Sequence, residues 1–366
     1  MRSLTVSLDQ SCYSIHIGSG LYRLLPELLQ KAGVGRDRKL MIITDSEVAP
    51  RYADRVKSCL DFAGYETGVS VFPAGESNKN LQQLERLIGE CLQFGLDRSS
   101  LILALGGGVV GDVAGFVAAT YMRGIPFIQL PTTLLAHDSS VGGKVGVNHP
   151  LGKNYIGSFH QPVMVVFDVD VLHTLPKREI VSGFAEVVKH ALIWDVSFVK
   201  WLEENTEALL SLEPAKVEEA IYRGCRVKAA VVSQDEKESG IRAILNYGHT
   251  IGHALEAVSG YQYYTHGEAV AIGMAGAARL SQKVLGSSPE LITRTEELLQ
   301  AFQLPVRYDQ AWLERDMLQA MKRDKKARRG EYAFVLSRSM GQVELIRGIE
   351  EVHVSQVLKE IGGGTG

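Results

Sequence analysis

Five short runs of bulky apolar residues, 40–44, 69–72, 101–105, 127–130 and 163–167, punctuate the first half of the chain, and most end in Gly, Asp, Pro or Thr. Helical stretches such as 81–94 and 109–121 separate several of them. Strands that are apolar throughout need cover on both faces, which intervening helices provide when the strands run parallel. The pattern therefore predicts a parallel sheet between helices, with ligands gathered at the strand C-termini. Residues 3–8 and 12–17 alternate with period two and read as a hairpin. After Leu175-Pro176 the period becomes 3.6, and 180–193, 198–210, 217–232, 249–259, 268–284, 289–302 and 312–321 read as helices. A small hairpin over 331–336 and 342–347, a last helix over 352–361 and a disordered tail over 363–366 follow. The expected organisation is a Rossmann-like α/β domain over 1–176, a variant of the dinucleotide fold, and a mostly α-helical domain over 177–366, with the active site in the cleft between them.

Composition excludes several classes. With 366 residues, 45% apolar and 22% charged, the chain is an ordinary globular protein. A net charge of -3 gives no sign of nucleic-acid binding. No apolar run approaches the roughly 18 residues that a membrane span needs, and the N-terminus lacks the apolar stretch of a signal peptide. Cys12, Cys59, Cys91 and Cys225 are scattered and read as reduced thiols of a cytoplasmic protein.

The segment Leu101–Asp112 carries G-x-G-x-x-G between a strand and a helix. Glycines there admit a pyrophosphate, and the helix N-terminus attracts its charge. The motif alone is weak, since it lies far from the first strand-helix unit and no acidic residue follows about twenty positions on. Asp45, closing an earlier strand, is the better ribose partner, and Glu76 and Lys79 sit at another strand end. Thr132 and Thr133 also follow a strand, where hydroxyls commonly cap helices. The segment 138–154 reads as a loop whose two lysines, two asparagines and four glycines suit a phosphorylated, hydroxyl-rich ligand.

Three of the ten histidines, His249, His253 and His266, fall within eighteen residues. His249 and His253 share a helix face. Glu186 lies on an earlier amphipathic segment. Two imidazoles and one carboxylate make a catalytic zinc site with an open position. The same residues also suit ordinary polar positions on buried helices, and the spacing is not the compact His-Glu-x-x-His pattern.

Taken in order, Gly106–Asp112, Met122-Arg123-Gly124, Leu130–Leu135, Asp138–Lys144, His149–Asn154, Thr174–Glu179, Gly183–Lys189, Asp235–Glu238, Arg242–Asn246 and the histidine cluster resemble the 3-dehydroquinate synthases of the sugar-phosphate cyclase superfamily, over nearly the whole chain. The resemblance implies conversion of 3-deoxy-D-arabino-heptulosonate 7-phosphate to 3-dehydroquinate and phosphate, as a step of aromatic amino acid synthesis. It implies transient oxidation by NAD, phosphate elimination, re-reduction, ring opening and aldol closure, so NAD is recycled. It also implies a divalent metal, zinc or cobalt, held by Glu186, His249 and His266. Asp45, Glu76, Lys79, Gly107, Gly108, Val109, Asp112, Thr132, Thr133, Lys144, Lys153, Thr174 and Leu175 fall on positions that contact NAD. Lys144, Lys189, Glu238, Arg242, Asn246 and His253 fall on catalytic positions. Asp138, Asn154, Lys228 and a lysine of the pair Lys325-Lys326 fall on substrate positions. The family's homodimers lend an arginine across the interface, which maps to Arg123.

The chain departs from the pattern before Asp138, where a turn is one residue short, and at Val145, where a threonine is common. Two rival readings remain: another sugar-phosphate cyclase, and a metal-dependent polyol dehydrogenase that would release NADH. The Gly142-Gly143-Lys144 turn, Asn148 and Arg242–Asn246 favour a substrate that carries a carboxylate.

Overall fold

The computed structural model describes the chain apart from residues 9–10, 239, 309–313, 324–330 and 363–366. Trp312, Lys325, Lys326 and the tail over 363–366 lie outside the described residues. The chain divides into two compact units, Met1–Leu175 with Val217–Lys237, and Pro176–Lys216 with Glu238–Gly366. A single division at 176/177 has no place for 217–237, which the structure puts with the first unit.

The first unit runs β1 (Arg2–Ser7), β2 (Cys12–Gly18), α1 (Leu25–Lys31), β3 (Lys39–Asp45), α2 (Asp54–Phe62), β4 (Glu66–Phe72), α3 (Leu81–Phe94), β5 (Leu101–Gly106), α4 (Gly108–Thr120), β6 (Phe127–Pro131), α5 (Ala136–Ser139), β7 (Lys144–His149), β8 (Gly152–Phe159) and β9 (Met164–Asp168). Its main sheet has the order β1-β2-β9-β6-β5-β3-β4. β1 pairs antiparallel with β2, and the other neighbours are parallel.

Alternation within the apolar strands explains the cover. Leu40, Ile42, Leu101 and Leu103 share one core with Leu28 of α1 and Leu60 of α2. Met41, Ile43, Ile102 and Ala104 turn the other way, into a core with Leu87 of α3 and Val113 of α4. From β3 the chain goes to β4 at one edge, and from β5 it goes to β6 in the opposite direction. The switch point therefore lies between the C-termini of β3 and β5, where Asp45 and Gly106 stand.

The segment 138–154 is not the loop expected from its glycines. β7 and β8 form an antiparallel hairpin through it, with Gly146 paired to Gly157. A Cβ on Gly146 would meet Ile156 O at 2.4 Å, and one on Gly157 would meet Val145 O at 2.3 Å. Glycines that mark turns elsewhere here let two strands approach. Val145 and Val147 anchor the hairpin in the α3–α4 core.

The second unit begins with α6 (Lys177–Trp194) and α7 (Val196–Leu210). α8 (Pro214–Gln234) belongs to the first unit from Val217 onward. There Glu219 Oε2 lies 2.6 Å from Arg2 Nη2, and the Cys225 thiol donates to His137 O over 3.5 Å. α9 (His249–Val258), α10 (His266–Leu285), α11 (Pro289–Ala301), α12 (Glu314–Arg323), the hairpin β10 (Tyr332–Ser339)–β11 (Gln342–Ile349) and α13 (Glu351–Ile361) complete the second unit. Leu255, Ile272, Met317, Phe334 and Leu358 join its helices and hairpin in one core. No helix among the described residues is long and apolar enough to cross a membrane.

Candidate active site

Glu186 projects from the middle of α6, while His249 and His266 are the first residues of α9 and α10. Close helix contacts bring these three positions together. A Cβ on Gly267 would meet Ser182 O at 2.0 Å, and one on Gly273 would meet Gly248 O at 1.9 Å. Only glycine admits both approaches. A capping box between Thr265 and Glu268 fixes the start of α10, and Arg178 pairs with the same Glu268 at 2.6 Å. Glu268, adjacent in sequence to the cluster, is thereby committed to the helix end.

One ligand atom from each of Glu186, His249 and His266 lies within 4.8 Å of the other two. Glu186 Oε1 stands 3.5 Å from His249 Nε2 and 3.6 Å from His266 Nε2. Donors around a tetrahedral ion with bonds of about 2.0–2.1 Å lie about 3.4 Å apart, so the set fits a divalent cation. The electrostatics agree. Two buried carboxylates, Glu186 and Glu256, flank His266. Burial would lower the His266 pKa, yet its hydrogen bonds to Glu186 and Glu256 push it up to about 10. Burial and the Lys189 cation instead lower His249. The pocket thus draws positive charge to the position that a cation would take. His249 Nδ1 lies 3.1 Å from Tyr247 O, which fixes the ring so that Nε2 faces Glu186.

Further candidates surround the cluster in the second unit. Lys189, 1% exposed, pairs with Glu186 one turn away on α6. Arg242 is equally buried, and Asn246 Nδ2 donates to Glu238 Oε1 over 3.1 Å. Glu238 holds a left-handed backbone, φ 57°. The His253 ring stands edge-on to His249 with centroids 5.3 Å apart.

The first unit holds the remaining candidates. Gly106 and Gly111 are required by packing: a Cβ on them would meet the Val110 side chain at 2.4 Å and Gln129 Oε1 at 2.7 Å. Gly107 and Gly108 form the turn into α4, whose N-terminus carries no side-chain cap. Such an end presents unpaired N–H groups to an anion. The buried Thr132 hydroxyl, at the end of β6 beside this turn, has no hydrogen-bond partner among the described residues. The neighbouring Thr133 hydroxyl accepts from Ala136 N over 3.3 Å. Asp45 Oδ1 accepts from the amides of Glu47 and Val48, both at 2.9 Å. These features fit a dinucleotide phosphate at the switch point.

Several expected ligand contacts are committed within the protein. Lys79, 4% exposed, donates to Asp112 Oδ2 and Asn154 Oδ1, both at 2.5 Å. Burial raises the Asp112 pKa and Lys79 opposes it. Asn148 donates to Glu76 Oε1 over 2.8 Å and accepts from Asn154 N over 2.9 Å. These bonds tie the hairpin to the 76–79 turn and hold Asn154 at φ 57°. Lys153 Nζ lies 4.0 Å from Glu76 Oε1. Lys228 donates to Asp138 Oδ2 over 2.7 Å. Thr174 is hydrogen-bonded to the Tyr52 hydroxyl at 2.6 Å, next to Leu175 at the end of the unit's first segment. Lys144 begins β7 with an exposed side chain, and Val109 lies in the first turn of α4. Arg123 is exposed, with φ 70°.

A family model described as 3-dehydroquinate synthase N-terminal matches residues 69–182, and one described as 3-dehydroquinate synthase C-terminal matches residues 183–327. The chain belongs to the 3-dehydroquinate synthase family. A 3-dehydroquinate synthase of Desulforamulus reducens is 48% identical over 361 residues, covering 98% of this chain and 100% of the relative. Among solved structures, a 2-deoxy-scyllo-inosose synthase complexed with carbaglucose-6-phosphate, NAD+ and Co2+ aligns with TM-score 0.88 at 26% identity, covering 98% of this chain and 100% of that one. The 2-epi-5-epi-valiolone synthase ValA from Streptomyces hygroscopicus subsp. jinggangensis, with NAD+ and Zn2+ bound, also aligns at TM-score 0.88, with 25% identity over 97% and 98% of the two chains. The other cyclases thus share the fold at roughly half the identity found with the 3-dehydroquinate synthase.

Proposed function

We propose that this chain converts 3-deoxy-D-arabino-heptulosonate 7-phosphate to 3-dehydroquinate and phosphate, with recycled NAD and a bound divalent cation. The observation that carries this reading is the Glu186–His249–His266 cluster in a chain 48% identical to a 3-dehydroquinate synthase over its full length. We further propose that NAD binds at the β3–β5 switch point, through Gly107, Gly108, Val109, Thr132 and Asp45. Zinc or cobalt would be held by Glu186, His249 and His266. Bound NAD supplies a reversible hydride acceptor, and the bound cation supplies Lewis acidity toward substrate hydroxyls.

The residues themselves divide the remaining work. Lys189, Arg242 and Lys144, with Lys228 and Asn154, supply the cationic and amide groups that a substrate with a phosphate and a carboxylate needs. Lys189, Arg242 and Lys228 are buried, whereas Lys144 and Asn154 are exposed. Glu238, held by Asn246, and His253 are suited to positioning and proton exchange. The paired commitments of Lys79 and Lys228 make their roles partly architectural: Lys79 shapes the turn at Asn154, and Lys228 fixes Asp138. All four cysteines are free thiols, which supports a reducing compartment such as the cytoplasm. A homodimer completes the proposal, with Arg123 reaching the partner's substrate.

The test is phosphate release from the heptulosonate phosphate, with and without chelator. Release should stop when metal is stripped and return with zinc or cobalt. Full release from protein verified as metal-free would contradict the proposal.

A further inference from the structure

We propose that Glu256 is a positioning residue for the metal centre, holding the His266 imidazole so that Nε2 faces Glu186 and His249. This rests on the metal-site reading above. Glu256 lies on α9, seven residues after His249 and three after His253, so all three share one helix face. Its side chain is 8% exposed, and its Oε2 stands 3.4 Å from His266 Nδ1. The opposite nitrogen of the same ring, Nε2, stands 3.6 Å from Glu186 Oε1. One imidazole therefore spans two buried carboxylates, one on each ring nitrogen.

The two histidines follow one rule. Each turns Nε2 to Glu186, and each has an oxygen at Nδ1: the Tyr247 carbonyl for His249 and the Glu256 carboxylate for His266. An acceptor at Nδ1 keeps the ring proton there and leaves the Nε2 lone pair for a cation. The backbone carbonyl comes with the fold, whereas the carboxylate is a property of one side chain and can be removed. Two backbone features set the end of α9 beside the start of α10. Gly252 lets α9 approach α10, since a Cβ there would meet Ala269 O at 3.0 Å. The Tyr261 amide donates to Glu256 O over 2.8 Å, which pins the start of the loop leading to His266. His253, Glu256 and His266 also lie within 4.8 Å of one another. Glu256 nevertheless meets His266 on the ring nitrogen turned away from Glu186, as a carboxylate behind a metal-bound imidazole does.

Glu256→Gln and Glu256→Asp separate this role from simple packing. The glutamine keeps the volume and loses the charge, while the aspartate keeps the charge on a shorter arm. Purified apo-protein is titrated with cobalt(II), and the dissociation constant and the visible ligand-field bands are read together. Wild-type chains should bind one cobalt with a tetrahedral-type spectrum. Glu256→Gln should bind about 10- to 100-fold more weakly with shifted bands, while its metal-free melting temperature stays near that of wild type. Glu256→Asp should recover part of the affinity. A Glu256→Gln protein with wild-type affinity and spectrum overturns the positioning role. Two cobalt ions per wild-type chain, falling to one in Glu256→Gln, also overturn it, because Glu256 would then be a ligand itself. Wild-type protein that binds no cobalt sinks the underlying metal-site reading, an outcome distinct from both.

Discussion

Alanine in place of His249 is expected to leave a folded chain that retains no divalent metal and turns over at least ~1000-fold more slowly. The size follows from the several kcal/mol that a bound cation contributes to a reaction in which charge develops on oxygen, at tenfold for each ~1.4 kcal/mol. The fold should survive because α9 is held by Ile251, Ala254 and Leu255, all on the core side, and by the glycine contacts at Gly248 and Gly252. His249 itself sits at the end of the helix. Glu186→Ala and His266→Ala should match it in metal content, although Glu186→Ala also removes the buried Lys189–Glu186 ion pair and should cost more stability. Metal analysis, circular dichroism and turnover on the same samples check the prediction. Full activity in metal-stripped His249→Ala protein would remove the cluster from the mechanism.

Arg123 gives the second large effect, and its signature is a separation of stability from function. Met122 and Arg123 hold left-handed backbone at φ 48° and 70°, and Gly124 follows at φ 119°. Such residues cost about 1–3 kcal/mol each and persist where surrounding structure and function require them. Of the seven non-glycine residues with positive φ among the described residues, Arg123, Asn154 and Glu238 belong to the expected substrate set, so strain and proposed function coincide. Arg123→Gly should therefore fold at least as stably as wild type. The loss of paired, charge-assisted hydrogen bonds to phosphate should nonetheless raise KM roughly 100-fold. If the arginine serves the partner, mixing Arg123→Ala chains with His249→Ala chains restores activity. A mixed dimer then has one site with both defects and one with neither. With free exchange, about a quarter of wild-type activity should return. Verified mixed dimers as inactive as their parents would place Arg123 outside the partner's site.

The parts of this molecule that were legible in the sequence are those with one dominant period. Strands 40–44 and 101–105 and the helix over 81–94 stand out because both faces of the strands, or one stripe of the helix, are apolar, and the structure has β3, β5 and α3 there. The hairpin β7–β8 was not legible, because its strands trade alternation for glycines that let backbones meet at Gly146 and Gly157. α1 and α2 were also missed. Each is short, seven and nine residues, and continues from a tighter or wider helical turn, Leu21–Arg23 or Ala49–Ala53, without a side-chain cap. The metal cluster was visible as residue types, but its assembly depends on helix contacts at Gly267 and Gly273 that no spacing rule encodes. Lys79 shows the opposite limit. Its type and position suggested a ligand contact, and tertiary structure commits it to Asp112 and Asn154. Glu256 carried one signal, its place on the same helix face as His249 and His253.

The central claim is that NAD is consumed and regenerated within one catalytic cycle on a phosphorylated substrate. It is tested most directly by following phosphate release and NADH absorbance together in metal-replete protein given far less NAD than substrate. The account predicts many phosphates released per NAD, with no steady rise in NADH. Accumulation of NADH in step with substrate loss, without phosphate release, would contradict it and assign the chain to polyol oxidation instead.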